Sequence, residues 1–238
     1  MSSKLISNSL TDRNITYFEC ECGSEFLYLE KLHTDEVVIG YIGKSESQIE
    51  EDWDEFLFKD LEHLCRFHYY CFQMLEHRRN SFISITSDLV LRIDFDKKYR
   101  ISVYSTTSDN EKLWDILLTE DAFEEFTCNM REILDMIALK QLPFSLGMQV
   151  EIKSKETMHP KYIDEIGRYH FDLGDGSDII FNTDMASYSG YVCTISEIHP
   201  FVDIHGKVNC TIGLKSDKDS DNKLWFYMFS PDMVNIIA

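Results

Sequence analysis

The spacing of hydrophobic residues constrains the fold of this chain more than any other feature of its sequence. Over most of the length, apolar and polar residues alternate with a period of two, as they do between Leu89 and Phe95. Two segments, 45–79 and 119–140, instead place apolar residues three and four positions apart, as an amphipathic helix does. The sequence therefore predicts an α+β protein in which helices pack on antiparallel strands.

The first helical segment is predicted to be long and acidic at its start. Ser45 or Ser47 is expected to cap it, and the acids that follow suit the positive end of the helix dipole. The second helix is predicted to open at Thr119 and to end near Lys140. Its buried face is predicted to carry five apolar residues: Phe123, Phe126, Met130, Ile133 and Ile137.

Pro143 and Gly147 mark a change in the character of the chain, because only short strands and turns follow them. We predict two domains on this basis. Residues 1–143 form an antiparallel sheet packed with one long and one medium helix. Residues 144–238 form a small β-barrel of five or six strands.

The second domain carries a series of short motifs. They are Val150-Glu151-Ile152, Met185-Ala186-x-Tyr188-x-Gly190, Val192-x-Thr194-Ile195 and Trp225-x-x-x-Phe229-Ser230-x-Asp232-Met233. With these motifs, residues 147–238 resemble the SH3-like β-barrel modules of phage and prophage proteins from Gram-positive bacteria. The resemblance implies a barrel with a hairpin inserted between 154 and 183, and it implies a mobile-element origin without a particular activity. We expect Ile152, Ile195 and Trp225 to fill the barrel core. Residues 15–140 resemble no family that we recognise.

The charge of the chain limits its partners. Asp and Glu number 42 against 23 Lys and Arg, which gives a net charge of −19. A field of this sign repels nucleic acids and anionic membranes and attracts basic surfaces. The sequence also shows no signal peptide and no apolar stretch long enough to span a membrane, so we expect a cytoplasmic protein.

Seven cysteines raise the question of a metal site. Cys20 and Cys22 would chelate a zinc ion together with Cys65 or Cys71 and His68 if the first strand packed on the first helix. The alternative is that these thiols and the histidine are core residues, which suits a reducing compartment. We favour the core interpretation and predict no metal and no cofactor.

Catalytic motifs are missing from the sequence. There is no Gly-x-Ser-x-Gly elbow, no glycine-rich phosphate loop and no pair of carboxylates that stands out from the many others. We therefore predict a protein that is not an enzyme.

The acidic start of the first helix is the candidate binding site. Neighbouring carboxylates along a helix imitate a row of phosphates, and aromatic side chains beside them would anchor a partner. The alternative is a solvated helix face whose aromatics pack on another element. The predicted partner-binding residues are Glu46, Glu50, Glu51, Asp52, Asp54, Glu55, Phe58, Tyr69 and Tyr70.

These observations lead to one functional hypothesis and three alternatives. The hypothesis is a phage-encoded anti-defence inhibitor of the anti-CRISPR type, which occludes the basic, nucleic-acid-binding surface of a host protein. The first alternative is a nucleic-acid-binding module that uses Lys153, Lys155, Lys161 and Arg168 as a local basic patch. The others are a self-assembling protein whose aromatics are buried in a homodimer, and a metal-dependent enzyme.

Overall fold

The structure is a computed structural model, and it describes residues 14–23, 25–44, 51–58, 60–78, 82–85, 89–106, 111–173, 177–220 and 223–237. The chain divides into two compact units, Met1–Ile133 and Leu134–Ala238. The division lies within a long helix, whereas the sequence places the boundary at residue 144, just after that helix ends. No helix in the described ranges has a stretch long and apolar enough to cross a membrane.

Unit 1 begins with an antiparallel sheet whose strands follow one another in chain order. A 17-residue helix, α1 (Leu61–His77), comes next. The strands are β1 (Asn14–Glu19), β2 (Phe26–Lys31), β3 (Val37–Lys44) and β4 (Glu51–Phe58).

The same arrangement then occurs a second time. Four more strands form a separate antiparallel sheet in chain order, and the 22-residue helix α2 (Glu120–Gln141) follows them. Unit 1 is therefore built from two consecutive ββββα halves. The strands of the second half are β5 (Phe82–Ile85), β6 (Leu89–Phe95), β7 (Tyr99–Ser105) and β8 (Lys112–Leu118).

The predicted helix over 45–79 is wrong in its first part. Residues 51–58 are strand β4, which pairs with β3 along its whole length, and α1 begins only at Leu61. Phe56 and Phe58 lie two positions apart, are both buried, and have ring centroids 5.0 Å apart, as neighbours on one face of a strand do. Asp60 caps the helix, because its Oδ1 accepts a hydrogen bond from the backbone N–H of His63 at 2.7 Å. Apolar spacing alone fits a helix here, and pairing with β3 overrides it.

Aromatic rings connect helices and strands in the core of unit 1. Phe67 of α1 and Phe126 of α2 have ring centroids 6.3 Å apart, so the two helices pack together. Phe126 also meets Phe18 of β1 edge to face, and Phe123 stacks on Tyr99 of β7 at 4.2 Å. The predicted buried face of the second helix is confirmed, since all five of its apolar residues are buried.

Unit 2 continues α2 from Leu134 and then forms strand β9 (Gln149–Ile152). A separate three-stranded antiparallel sheet and a single helical turn, α3 (Thr183–Ala186), come next. This small sheet occupies the region in which the sequence predicts an inserted hairpin. Its strands are β10 (Tyr162–Ile163), β11 (Tyr169–Asp172) and β12 (Asp178–Phe181).

The main sheet of unit 2 has five antiparallel strands in the order β15-β14-β13-β9-β16. The strand β9 therefore pairs with both β13 and the last strand of the unit. The remaining strands are β13 (Val192–Val202), β14 (Val208–Lys215), β15 (Met228–Phe229) and β16 (Val234–Ile236).

The sheet of unit 2 is open, and the described residues close no barrel. Ile152 and Ile195 are buried, as expected. Trp225, however, does not fill the core: it lies on a 3₁₀ turn, Lys223–Phe226, with 60% of its surface exposed. Its neighbour Leu224 is fully buried instead, because the turn directs successive side chains to different sides.

Candidate interaction surface

The predicted acidic cluster does not lie on a helix. Glu46 and Glu50 lie outside the described residues. Glu51, Asp52 and Asp54 belong to β4, where only the backbone is described, and β4 is the edge strand of its sheet. Negative charges on an edge strand oppose pairing with another chain, which gives these acids a structural explanation.

Glu55 and Phe58 are part of the structure of the first half. Glu55 Oε1 accepts a hydrogen bond of 2.5 Å from the hydroxyl of the fully buried Tyr28. Burial and this hydrogen bond raise the pKa of Tyr28 well above its usual value. Phe58 is buried against Phe56 and Phe67, so it does not anchor a partner. Its assignment to the binding site is wrong, because strand alternation turns it toward the core.

The exposed face of α1 does carry aromatic rings. Tyr69 and Tyr70 are 42% and 38% exposed, and their rings meet edge to face at 5.6 Å. Phe72, on the same helix, is 45% exposed. The buried positions Leu64, Phe67, Cys71 and Met74 follow one another at steps of three, four and three, and Phe72 lies about 100° around the helix from Cys71. We call Tyr69, Tyr70 and Phe72 the aromatic face of α1.

The first half of α2 presents carboxylates to solvent. Glu120 forms an ion pair with Arg78, whose nitrogen lies 3.1 Å from its oxygen. The next acids along the helix are exposed and have no ion-pair or side-chain hydrogen-bond partner in the described part of the chain. They recur at spacings of three, four and seven residues and so share one side of the helix. We call them the acidic stripe: Asp121, Glu124, Glu125 and Glu132.

The proposed basic patch of unit 2 is already occupied by local partners. Lys161 lies 3.5 Å from Asp172 and 3.3 Å from Asp178, and Arg168 Nε donates to Asp164 Oδ2 at 2.6 Å. The two remaining lysines donate to backbone carbonyls of the same unit: Lys153 to Asp232 and Lys155 to Gly167. These contacts weaken the interpretation of this region as a nucleic-acid-binding surface.

A polar network surrounds His170 in the same small sheet. Its ring stacks on Tyr162 at 4.2 Å, and its two nitrogens lie 3.3 Å from Asp164 and 3.6 Å from Asp178. Burial alone would raise the pKa of Asp164, but hydrogen bonds from Arg168 and His170 hold it well below its usual value. The network fixes β10, β11 and β12 together with charges that balance one another.

In the described part of the chain, Cys20 and Cys22 form no ligand group with the cysteines of α1. Among the described residues, the one group of possible metal ligands consists of Cys20, Cys22 and Glu25. Cys71 is completely buried, which raises the pKa of its thiol well above the usual value. Burial, together with the charge of Arg131, lowers the pKa of His68 to about 4, as expected for a neutral core histidine. The ligand set that joins Cys20 and Cys22 to α1 is therefore wrong, and Glu25 was missed because it becomes a neighbour only through the turn.

Comparisons with known proteins leave the family open. No family model matches the chain, and no curated protein matches it. Two solved structures are similar to it over about half of its length. The MRP1/MRP2 structure of Trypanosoma brucei has a TM-score of 0.38 and 11% identity, and the match covers 53% of this chain and 85% of that one. A guide-RNA-binding protein complex bound to its RNA also has a TM-score of 0.38, with 10% identity over 56% of this chain and 94% of that one. At these TM-scores the likeness carries no argument about function.

Proposed function

We propose that this protein is a non-enzymatic, phage-encoded inhibitor that binds a host protein and occludes its basic, nucleic-acid-binding surface. An anti-defence role of the anti-CRISPR type fits this description, with action in the host cytoplasm. The observation that carries the proposal is the acidic stripe of α2, whose four carboxylates lack partners in the described part of the chain.

The length of the stripe suits a surface that binds nucleic acid. From Asp121 to Glu132 the helix rises about 16 Å, at 1.5 Å per residue. One strand of a duplex presents about five phosphates over that distance, at roughly 3.4 Å of axis for each charge. Four carboxylates on a rigid helix therefore offer a comparable density of negative charge to a basic groove.

Electrostatic attraction accounts for the first step of such binding. With a net charge of −19, the whole chain attracts a basic partner and repels free nucleic acid. Charges at the rim of an interface mainly raise the association rate, and salt screens them. The proposal therefore requires association that weakens steeply as salt is added.

The aromatic face of α1 would add binding energy through burial of apolar surface, which the charges alone do not provide. Tyr69, Tyr70 and Phe72 lie on the helix that packs beside α2, and large exposed rings are typical of the residues that dominate binding energy. A partner that covers both helices would bury these rings while its Lys and Arg residues pair with the stripe.

We also propose that unit 2 is an SH3-like module that serves as a scaffold or a second contact. The support is its strand order, in which β9 pairs with the last strand, β16, and so joins the two ends of the unit. In the order β15-β14-β13-β9-β16, a barrel would close if the two edge strands, β15 and β16, also paired. Of the motifs quoted for the resemblance, Val150-Glu151-Ile152 lies on β9 and Val192-x-Thr194-Ile195 lies on β13. Trp225 is exposed and would be available to a partner.

The test uses the full chain as an immobilised bait in a bacterial lysate. Two variants are matched in charge. One neutralises the stripe with Asp121→Asn, Glu124→Gln, Glu125→Gln and Glu132→Gln. The other neutralises four exposed acids of unit 2 with Glu165→Gln, Asp184→Asn, Asp217→Asn and Asp232→Asn.

We expect the wild type and the unit 2 variant to retain the same nucleic-acid-binding protein and to release it on a salt gradient. The stripe variant should retain little of it, and the wild type should displace labelled nucleic acid from the purified partner. Equal retention by the stripe variant would contradict the proposal, as would retention that ignores salt. A direct shift of labelled nucleic acid by the protein, or a homodimer that buries the aromatic face, would favour the corresponding alternative.

A further inference from the structure

The turn between β1 and β2 brings two thiols and a carboxylate to one place. The backbone N–H of Cys20 donates to the carbonyl of Glu25 at 3.0 Å, and the N–H of Gly23 donates to the carbonyl of Cys20 at 3.0 Å. Gly23 adopts a φ of +68°, in the left-handed region that glycine tolerates. The turn is thus closed by its own backbone, and the side chains of Cys20, Cys22 and Glu25 converge as a result, with ligand atoms within 4.8 Å of one another.

The distances within this group are those of ligands to a single ion. Cys20 Sγ lies 3.8 Å and Cys22 Sγ 3.6 Å from the same oxygen, Glu25 Oε2. For a tetrahedral zinc ion with Zn–S near 2.3 Å and Zn–O near 2.1 Å, a sulfur and an oxygen ligand stand about 3.6 Å apart. Two thiols that share one carboxylate oxygen at this separation need little movement to coordinate a cation between them.

A second group of residues holds the carboxylate in this orientation. The hydroxyl of Tyr41 donates to the other oxygen, Glu25 Oε1, at 2.9 Å, which leaves Oε2 to the sulfurs. The Tyr41 ring is stacked on Trp114, with centroids 5.9 Å apart and planes at 13°. A Cβ at Gly43 would lie 2.4 Å from the Tyr41 hydroxyl, so glycine at this position makes room for it. Metal-binding carboxylates commonly accept such a supporting hydrogen bond.

The exposure of the group suits an ion that exchanges with solvent. Cys20 is buried, Glu25 is half-buried and Cys22 is exposed. Three protein ligands with one open side leave a fourth position for water or for a ligand from outside the turn.

We propose that Cys20, Cys22 and Glu25 bind a thiophilic divalent cation of the Zn²⁺ class, through two thiolates and one carboxylate. Binding replaces the thiol protons with the ion, so two protons are released when both thiols deprotonate. The affinity should therefore rise with pH, because protons compete less well for the sulfurs.

The test is a titration of the reduced, chelator-treated full chain with Co²⁺, followed by displacement with Zn²⁺. We expect one Co²⁺ per chain, with the sulfur-to-cobalt charge-transfer band and the visible bands of tetrahedral cobalt, and loss of both sets of bands when Zn²⁺ is added. The key variant is Cys22→Ser, because an exposed position tolerates the change. The matched control is Cys128→Ser, an exposed thiol on α2 that belongs to no such group in the described residues.

Cys22→Ser should abolish the charge-transfer band at metal concentrations that saturate the wild type, and Cys128→Ser should leave the titration unchanged. Tyr41→Phe should weaken binding by about 10–100-fold without removing the band. Zn²⁺ should raise the melting temperature of the wild type and of Cys128→Ser, and leave that of Cys22→Ser unchanged. The proposal fails if the wild type gives no thiolate band, or if Cys22→Ser, shown to be folded by circular dichroism, binds as tightly as the wild type.

Discussion

The two ββββα halves of unit 1 share an order of elements and differ in what fills their sheets. In the first half, the ring of Tyr28 lies over Gly40 and the Tyr41 hydroxyl lies over Gly43, where a Cβ would approach within 2.2 and 2.4 Å. Both hydroxyls donate to glutamates. Both halves bury aliphatic side chains, such as Leu27 and Ile39 in the first and Ile93 and Ile101 in the second, but the second half contains no glycine for a ring to lie over.

This difference teaches that one arrangement of strands tolerates two kinds of interior. Aliphatic side chains need volume and little orientation, whereas a tyrosine over a glycine needs both an empty Cβ position and a partner for its hydroxyl. The first half should therefore be more sensitive to small steric and electrostatic changes, and the second half to loss of volume alone. Four sets of substitutions test this contrast, from the largest expected effect to the smallest.

Replacing one buried phenylalanine of each helix by alanine should give the largest loss in the free energy of unfolding. Phe67 of α1 and Phe123 of α2 are both fully buried, so Phe67→Ala and Phe123→Ala should each lower the free energy of unfolding by about 4 kcal/mol. Urea unfolding followed by tryptophan fluorescence in a Trp225→Phe background measures this, because the remaining Trp53 and Trp114 both belong to unit 1. A loss below about 1 kcal/mol for either variant would contradict the packing of that ring in the core of its half.

Adding one methyl group to β3 should lower the free energy of unfolding far more than a small substitution in β7 does. Gly40→Ala places a Cβ within 2.2 Å of Tyr28 Cζ, so the ring must move away and lose its bond to Glu55. We expect a loss of about 3 kcal/mol. Ser102→Ala in β7 is the matched change, because the Ser102 hydroxyl is buried and has no hydrogen-bond partner in the described residues. It should cost less than about 0.5 kcal/mol or be stabilising.

The clash itself is tested by a double-mutant cycle. Tyr28→Ala removes the ring, so Gly40→Ala should cost far less in that background, with a coupling of at least about 1 kcal/mol. Additive losses would mean that the methyl group disturbs the strand itself and not the ring.

The sequence predicts most of this architecture because periodicity is a local signal. The strands around Leu89–Phe95 and the buried face of α2 follow from spacing alone. The start of α1 does not, because Phe56 and Leu57 also fit a helix and only pairing with β3 decides the matter. The order of the first sheet and its repetition in the second are likewise results of tertiary packing that no single segment contains.

The candidate sites also depend on tertiary packing that a local sequence pattern does not predict. Tyr69 and Tyr70 exceed what one apolar stripe buries, so their exposure was predictable, whereas the exposure of Phe72 depends on which face of α1 packs on the rest of unit 1. Glu25 joins Cys20 and Cys22 only because a turn folds back on itself. Trp225 looks like a core residue by size alone, and a 3₁₀ turn places it outside.

Acid should weaken the first half through one histidine of α1. His68 has a pKa lowered to about 4 by burial and by the charge of Arg131, against about 6.5 in an unfolded chain. The unfolded state then binds more protons between these values, so stability present above pH 6.5 is lost as the pH falls toward 4. We expect His68→Leu to reduce this loss by about 2 kcal/mol. An unchanged slope in His68→Leu would contradict the assignment.

Substitutions at the N-caps of the two helices should have the smallest effect on stability, and the two positions are closely matched. Asp60 accepts a hydrogen bond from the N–H of His63 at 2.7 Å, and Thr119 Oγ1 accepts one from the N–H of Ala122 at 3.2 Å. Asp60→Ala and Thr119→Ala should each cost about 1 kcal/mol in low salt. Only the aspartate adds a charge at the positive end of a helix, so its cost should shrink as salt rises while that of Thr119→Ala stays constant. The same urea titrations at two salt concentrations measure this, and an equal salt response would show that Asp60 acts through its hydrogen bond alone.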